Sequence, residues 1–162
     1  MDRTLVAWVE DKPGVLNRVA SLFRRRAFNI DSLTVGHTEE TGVSRMTIVV
    51  DSERTDAEKV VQHLYKLVNV IKVEDVTEQP AVVRDLALIK VRSSNGSRSE
   101  VMQIVETFRA RVVDVGLDTL TVEVTGTEEK IDGLFEVLKP FGVVEMVRTG
   151  RVAMVRGGNG TD

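Results

Sequence analysis

Apolar residues along this chain switch between two spacings. "TLVAWVE", residues 4–10, is rich in β-branched and aromatic side chains, and it gives way to Val15, Leu16, Val19, Leu22 and Phe23, which recur on one helical face. The pattern predicts a strand followed by an amphipathic helix. "NIDSLTV" (29–35) and "SRMTIVVD" (44–51) are two further strands, in the second of which Met46, Ile48 and Val50 alternate, and the glycines and threonines of "GHTEETGV" suit a hairpin loop between them. Thr55 and Glu58 read as a capping box ahead of a second helical stripe, Ala57, Val60, Val61, Leu64, Leu67 and Val68, and "VIKVEDV" (70–76) is a strand again. The first half of the chain is therefore βαββαβ.

"TEQPAVV" (77–83) interrupts the pattern with polar residues and Pro80, after which the same order restarts. "DLALIKV" (85–91) is a strand, Ser97 with Glu100 reads as the cap of a helix carrying Val101, Ile104, Val105 and Phe108, and "RVVDV" and "TLTVEVT" are strands joined by a turn at "GLD". Ile131, Leu134, Phe135 and Leu138 form a fourth helical stripe, ended by Pro140 and Gly142, and "VVEMVR" (143–148) closes the set. Two units with one element order and little residue identity predict an α+β fold of two tandem ferredoxin-like βαββαβ domains, residues 1–77 and 78–162. In each, two helices cover one face of a four-stranded antiparallel sheet. The other face of the first sheet, assigned Thr4, Val6, Trp8, Val35, Thr47 and Val49, is too apolar for water, which predicts association and a dimer. The tail "RVAMVRGGNGTD" begins as an extra strand and ends in residues expected to be mobile.

Composition narrows the chemistry. With 22 basic and 25 acidic residues the net charge is −3, which gives no footprint for nucleic acid or an anionic membrane. The absence of cysteine excludes a disulfide framework, a thiolate metal site and a cysteine nucleophile, and suits a reducing cytoplasm. The opening "MDRTLVAWVEDKPG" has too short an apolar run for a signal peptide or membrane span, so the chain is expected in the cytoplasm.

"EDKPGVLNRV" (10–19) places Asp11, Pro13 and Gly14 where the first helix begins. One reading is capping, with Asp11 accepting from the first turn and Pro13 presetting φ. The other uses the same geometry: the N–H groups of Gly14, Val15 and Leu16 stay open and seat a small carboxylate. Asn29, at the start of the second strand, is either a turn residue or an amide able to meet an ammonium and a carboxylate at once. Arg24, Arg25 and Arg26 fall in the last helical turn, where the dipole favours cations facing water. "RSSNGSRSE" (92–100) lacks the lysine that ends a phosphate loop. His37 and His63 have no carboxylate at ligand spacing, and no nucleophile–base arrangement is legible, so neither a metal site nor catalysis is expected.

"DKPGVLNRVASLFRRRAFNIDSLTVG" followed by "SRMTIVV" resembles the regulatory (small) subunits of acetolactate synthase, also called acetohydroxyacid synthase, and the likeness extends over nearly the whole chain. The D-x-P-G-x-L start is a signature of ACT domains in general, and "FNIDSLTVG" with "SRMTI" at this spacing is more specific. The resemblance implies an N-terminal ACT domain that binds valine, with leucine and isoleucine as alternatives, and a C-terminal ferredoxin-like domain. It implies no cofactor in this chain and a large catalytic partner that uses thiamine diphosphate, magnesium and FAD. It further implies that the subunit activates that partner and confers feedback inhibition in branched-chain amino acid biosynthesis. Carried onto this chain, the effector residues are Asp11, Gly14, Val15 and Leu16, with Asn29 supplied across a homodimer of ACT domains. Some relatives have Asn where Asp11 stands, and a carboxylate there suits an ammonium.

An ACT-type sensor of another metabolic enzyme shares every feature except the longer motif. An RNA-binding module of this fold needs aromatics on its central strands, and aromatics are only 4% of this chain. An acylphosphatase-type enzyme needs a glycine-rich loop with an inward arginine, which is missing.

Overall fold

A computed structural model describes residues 2–157. The glycine-rich end expected to be mobile, residues 158–162, lies outside the described residues. Both halves fold as βαββαβ. The first comprises β1 (Asp2–Glu10), α1 (Val15–Arg25), β2 (Ile30–His37), β3 (Val43–Asp51), α2 (Ala57–Tyr65) and β4 (Val70–Asp75), its antiparallel sheet ordered β2-β3-β1-β4. Alternation sends Leu5, Ala7 and Val9 of β1 and Met46, Ile48 and Val50 of β3 to one face, where Val15, Val19, Leu22 and Phe23 of α1 and Val60 and Leu64 of α2 close the core.

The second half comprises β5 (Ala81–Arg92), α3 (Arg98–Thr107), β6 (Arg111–Val115), β7 (Thr119–Gly126), α4 (Glu128–Leu138) and β8 (Val143–Arg148), ordered β6-β7-β5-β8. Its core joins Ala87, Ile89, Val91, Leu120, Val122 and Val124 to Val101, Val105, Ile131, Leu134 and Leu138.

The tail's extra strand is present as β9 (Val152–Val155), paired with β5. By their contacts, residues 2–82 and 151–157 form one compact unit and Val83–Gly150 the other. Hydrogen bonds hold β9 in the first unit: Arg45 Nη2 donates to the Ala153 carbonyl (2.6 Å), Arg151 Nη1 to Thr4 Oγ1 (3.0 Å) and the Arg156 N–H to the Pro80 carbonyl (2.7 Å). Thr4 and Arg45 lie on the sheet face away from the helices, the face expected to be open. Thr4, Val6, Thr47 and Val49 are in fact buried there within one chain, and Trp8 is half-buried under Arg45 and Lys72, at 4.9 and 5.3 Å from its ring centroid. Val35 is not on this face: it pairs with Met46 and so projects to the helix side, and Thr34, opposite Thr47, stands in its place.

Two of the expected caps move. Asp56, not Thr55, caps α2 by accepting from the Glu58 N–H (3.0 Å), and Thr55 Oγ1 accepts from the Asn29 N–H (2.7 Å). Ser97 occupies the N-cap position of α3 without a side-chain bond into the helix; its hydroxyl accepts from the Ser94 N–H (3.1 Å).

Asp75 ties the ends of β1 and β4 together. It accepts from Arg3 Nε and Nη2 (3.0 and 2.6 Å) on one oxygen and from the Thr77 N–H and hydroxyl (3.0 and 2.6 Å) on the other. Burial alone would raise its pKa, but the bonds from Thr77 and Arg3 outweigh it and hold the carboxyl below its ordinary value. A depressed folded pKa contributes stability above the unfolded value, about 3.9, and that contribution is lost as the pH falls through the folded value. Urea melts between about pH 3 and 7 should therefore show a shallower acid-side loss of stability for Asp75→Asn than for wild type; parallel acid limbs would rule this contribution out.

Candidate functional site

The site grows out of the turn between β1 and α1. β1 stays paired through Glu10↔Val43, after which the Asp11 N–H donates to the Gly42 carbonyl (2.8 Å), fastening the turn to the β2–β3 hairpin. Gly14 then takes φ +86°, which an L side chain adopts only under strain, and its carbonyl accepts the first helical bond, from the Arg18 N–H (3.0 Å). Gly14 is thus the N-cap of α1, and Asp11 is not: no side chain bonds into this helix start. The Val15 N–H is also less open than expected, since it donates to the Lys12 carbonyl (3.3 Å). The N–H groups of Leu16 and Asn17 have no acceptor among the described residues, as the first turn of a helix requires, and a Cβ on Gly14 would meet no atom within 4 Å.

Beside this turn lies a cleft of about 300 Å³. Val9, Val15, Val35 and Met46 supply its apolar wall, Leu16 stands half-exposed at the rim, Glu10, Asp11 and Lys12 bring charge to it, and His37 adds an imidazole. Lys12 pairs with Glu10 at 2.6 Å, and its hydrogen bond draws the Glu10 carboxyl below the ordinary range. Asp11 Oδ2 lies 3.3 Å from His37 Nδ1. The unpaired N–H of Leu16 in the first helical turn, a carboxylate and a small apolar wall at one cleft suit a zwitterion with a short aliphatic side chain.

Of the residues expected at the site, the cleft brings together Asp11, Val15 and Leu16, with Gly14 forming the turn beside them. Asn29 is elsewhere: it follows the far end of α1, an 11-residue helix about 16 Å long, and its N–H is held by Thr55. Asn29 is not the left-handed turn residue either; Ala27 takes that conformation, at φ +53°. Sequence reasoning missed His37, Ser44 and Val35 as lining residues. The available signal was the hairpin itself, because pairing β2 with β3 and β3 with β1 returns His37 to the level of Val9, at the end of β1 just before Asp11.

Comparison with known proteins gives this geometry a family. A model described as "AHAS small subunit-like ACT domain" matches residues 5–72, the stretch that holds the cleft, and one described as "Small subunit of acetolactate synthase" matches residues 84–157. The acetolactate synthase small subunit of Mycobacterium leprae is 55% identical over 157 residues, covering 97% of this chain and 93% of the relative. The chain belongs to the acetolactate synthase small-subunit family. The Bacillus subtilis small subunit is 49% identical over 158 residues, 97% of this chain and 92% of that one. The crystal structure of the small subunit from Thermotoga maritima superposes with a TM-score of 0.89 at 39% identity, over 98% of this chain and 99% of that one. As in that family, the N-terminal unit of this small subunit is an ACT domain, and the βαββαβ order predicted for both halves holds. Among the described residues, no group of three or more metal-ligating side chains could hold an ion, and no helix is long and apolar enough to cross a membrane.

Proposed function

We propose that this chain is the non-catalytic regulatory subunit of a cytoplasmic acetolactate synthase, acting on a large catalytic subunit and making it sensitive to valine. The observation that carries the reading is the cleft beside Gly14, inside the ACT domain, with open N–H groups on one side and Asp11 on the other. The valine carboxylate sits on the open N–H groups of the first turn of α1, its ammonium meets Asp11, and its isopropyl group packs on Val15, Val35 and Met46. Asn29 reaches this site only from a second copy, so the bound effector bridges two ACT domains and favours one dimer arrangement. That arrangement alters the grip on the catalytic subunit, with a coupling of about 1–3 kcal/mol. Thiamine diphosphate, magnesium and FAD belong to the catalytic partner, and the chemistry on pyruvate takes place there.

Mixing the chain with a catalytic subunit and following acetolactate formation is the direct test. Activation by the chain and inhibition by valine, leucine or isoleucine are the expected results, and the absence of both would defeat the reading in favour of a sensor for another enzyme. Calorimetry on Asn29→Ala tests the bridge separately. Valine affinity should fall about tenfold, the loss of one hydrogen bond to a charged group, and an unchanged affinity would remove Asn29 from the site.

A further inference from the structure

β3 turns Ser44, Met46, Ile48 and Val50 to the helix side of the first sheet, and Ser44 is the one polar residue among them. It is also closed in, with only 6% of its surface exposed. Strand pairing sets it between Val9 of β1 and His37 of β2, at the end of the sheet where β1 turns into α1, and there it lines the effector cleft.

The Ser44 hydroxyl has no hydrogen-bond partner among the described residues, and its oxygen is not sealed off from the cleft. The other polar side chains that line the cleft are engaged with one another: Glu10 with Lys12 at 2.6 Å, and Asp11 Oδ2 with His37 Nδ1 at 3.3 Å. A buried hydroxyl without a partner works against the fold, which an alanine would serve better at this place. What it offers instead is one donor and two acceptor lone pairs, held at the cleft by a paired strand.

Position decides which group of an effector this hydroxyl meets. The open Leu16 N–H belongs to the helix side of the cleft, whereas Ser44 belongs to its sheet wall, level with Val9 and close to Asp11 in the chain path. An ammonium held by Asp11 has three N–H groups to satisfy, and Ser44 Oγ is the uncommitted side-chain acceptor in the cleft.

We propose that Ser44 reads the 2-amino group of the effector: its hydroxyl accepts from the ammonium beside Asp11, so the cleft selects a 2-amino acid over a carboxylic acid of the same skeleton that lacks the ammonium. Its role rests on the effector reading proposed above, to which it adds a specificity residue. Pyruvate carries a carboxylate too, so a subunit of acetolactate synthase can ignore it only by reading the second carbon and what it bears. An acid without the ammonium leaves Asp11 and Ser44 without their donor, and unpaired polar groups in a site are a strong source of rejection.

Isothermal titration calorimetry on the full-length chain tests this with two ligands, valine and 3-methylbutanoate, which is valine without its amino group. Wild type should bind valine about 100-fold or more tighter. Ser44→Ala should lower the affinity for valine about tenfold, the loss of one hydrogen bond to a charged group, and leave that for 3-methylbutanoate within about two-fold. Because the hydroxyl has no partner in the chain without ligand, the same variant should melt no lower than wild type. Unchanged valine affinity, an equal loss for both ligands, or a loss accompanied by a lower melting temperature would overturn the assignment of Ser44 alone. A wild-type chain that binds no valine would defeat the effector reading itself, and the role of Ser44 with it.

Discussion

Replacing Gly14 with aspartate is expected to abolish the response of a reconstituted complex to valine at concentrations that inhibit the wild type. Two effects act at this position. Gly14 holds φ +86°, so any L residue introduces strain, of about 1–2 kcal/mol. Aspartate adds a carboxylate beside the open N–H groups of the first helical turn, where it competes with the carboxylate of the effector. Gly14→Ala separates the two, because an alanine Cβ meets no neighbour within 4 Å and brings the strain without the charge. Alanine should therefore lower the melting temperature slightly and retain inhibition, while aspartate should raise the valine concentration for half-inhibition at least about tenfold, or 1.4 kcal/mol. Equal sensitivity of Gly14→Asp and wild type would remove the anion seat from the proposal.

The largest effect on stability is expected from Leu134→Ala. Leu134 is fully buried on α4 among Ile131, Leu138, Val101 and Val122, and removing three carbons there costs about 3 kcal/mol through lost transfer energy and the cavity left behind. Because each unit closes its own core, the loss should be confined. Hydrogen exchange read by mass spectrometry should accelerate in peptides from Val83–Gly150, while the amides of β1 and β3 keep most of their protection. Uniform acceleration across both units would mean that they unfold as one.

The order of elements was legible because alternation and helical spacing are local properties, and Met46, Ile48 and Val50 of β3 and Val15, Val19, Leu22 and Phe23 of α1 do face the core as their spacing requires, although Leu16 of the same stripe stays half-exposed. What escaped depended on contacts between distant positions. Thr55 looks like the cap of α2, yet its hydroxyl is taken by the Asn29 N–H 26 residues earlier, and Asp56 caps instead. Val35 is expected on the outer face with Thr47, but β2 shifts register between Ile30 and Ser32, and the pairing with β3 sets Val35 beside Met46. At the site, "DKPG" marked the turn correctly and suggested the wrong cap. A positive φ at the N-cap position is a property of the path into the helix, and Asp11 is turned instead toward His37, which only the closed hairpin delivers.

The return of β9 to the first unit has a consequence for synthesis. The ribosome releases β1 to β4 first, then the whole of Val83–Gly150, and only afterwards the strand whose backbone receives the guanidinium of Arg45. Until then Trp8 and its neighbours on the outer face await their last partner, although the inserted unit already has everything it needs to fold. A nascent chain held with Gly150 just clear of the ribosome and β9 still inside it would thus carry a second unit with all its strands and helices and an effector domain still lacking β9, the reverse of the order in which the two are begun.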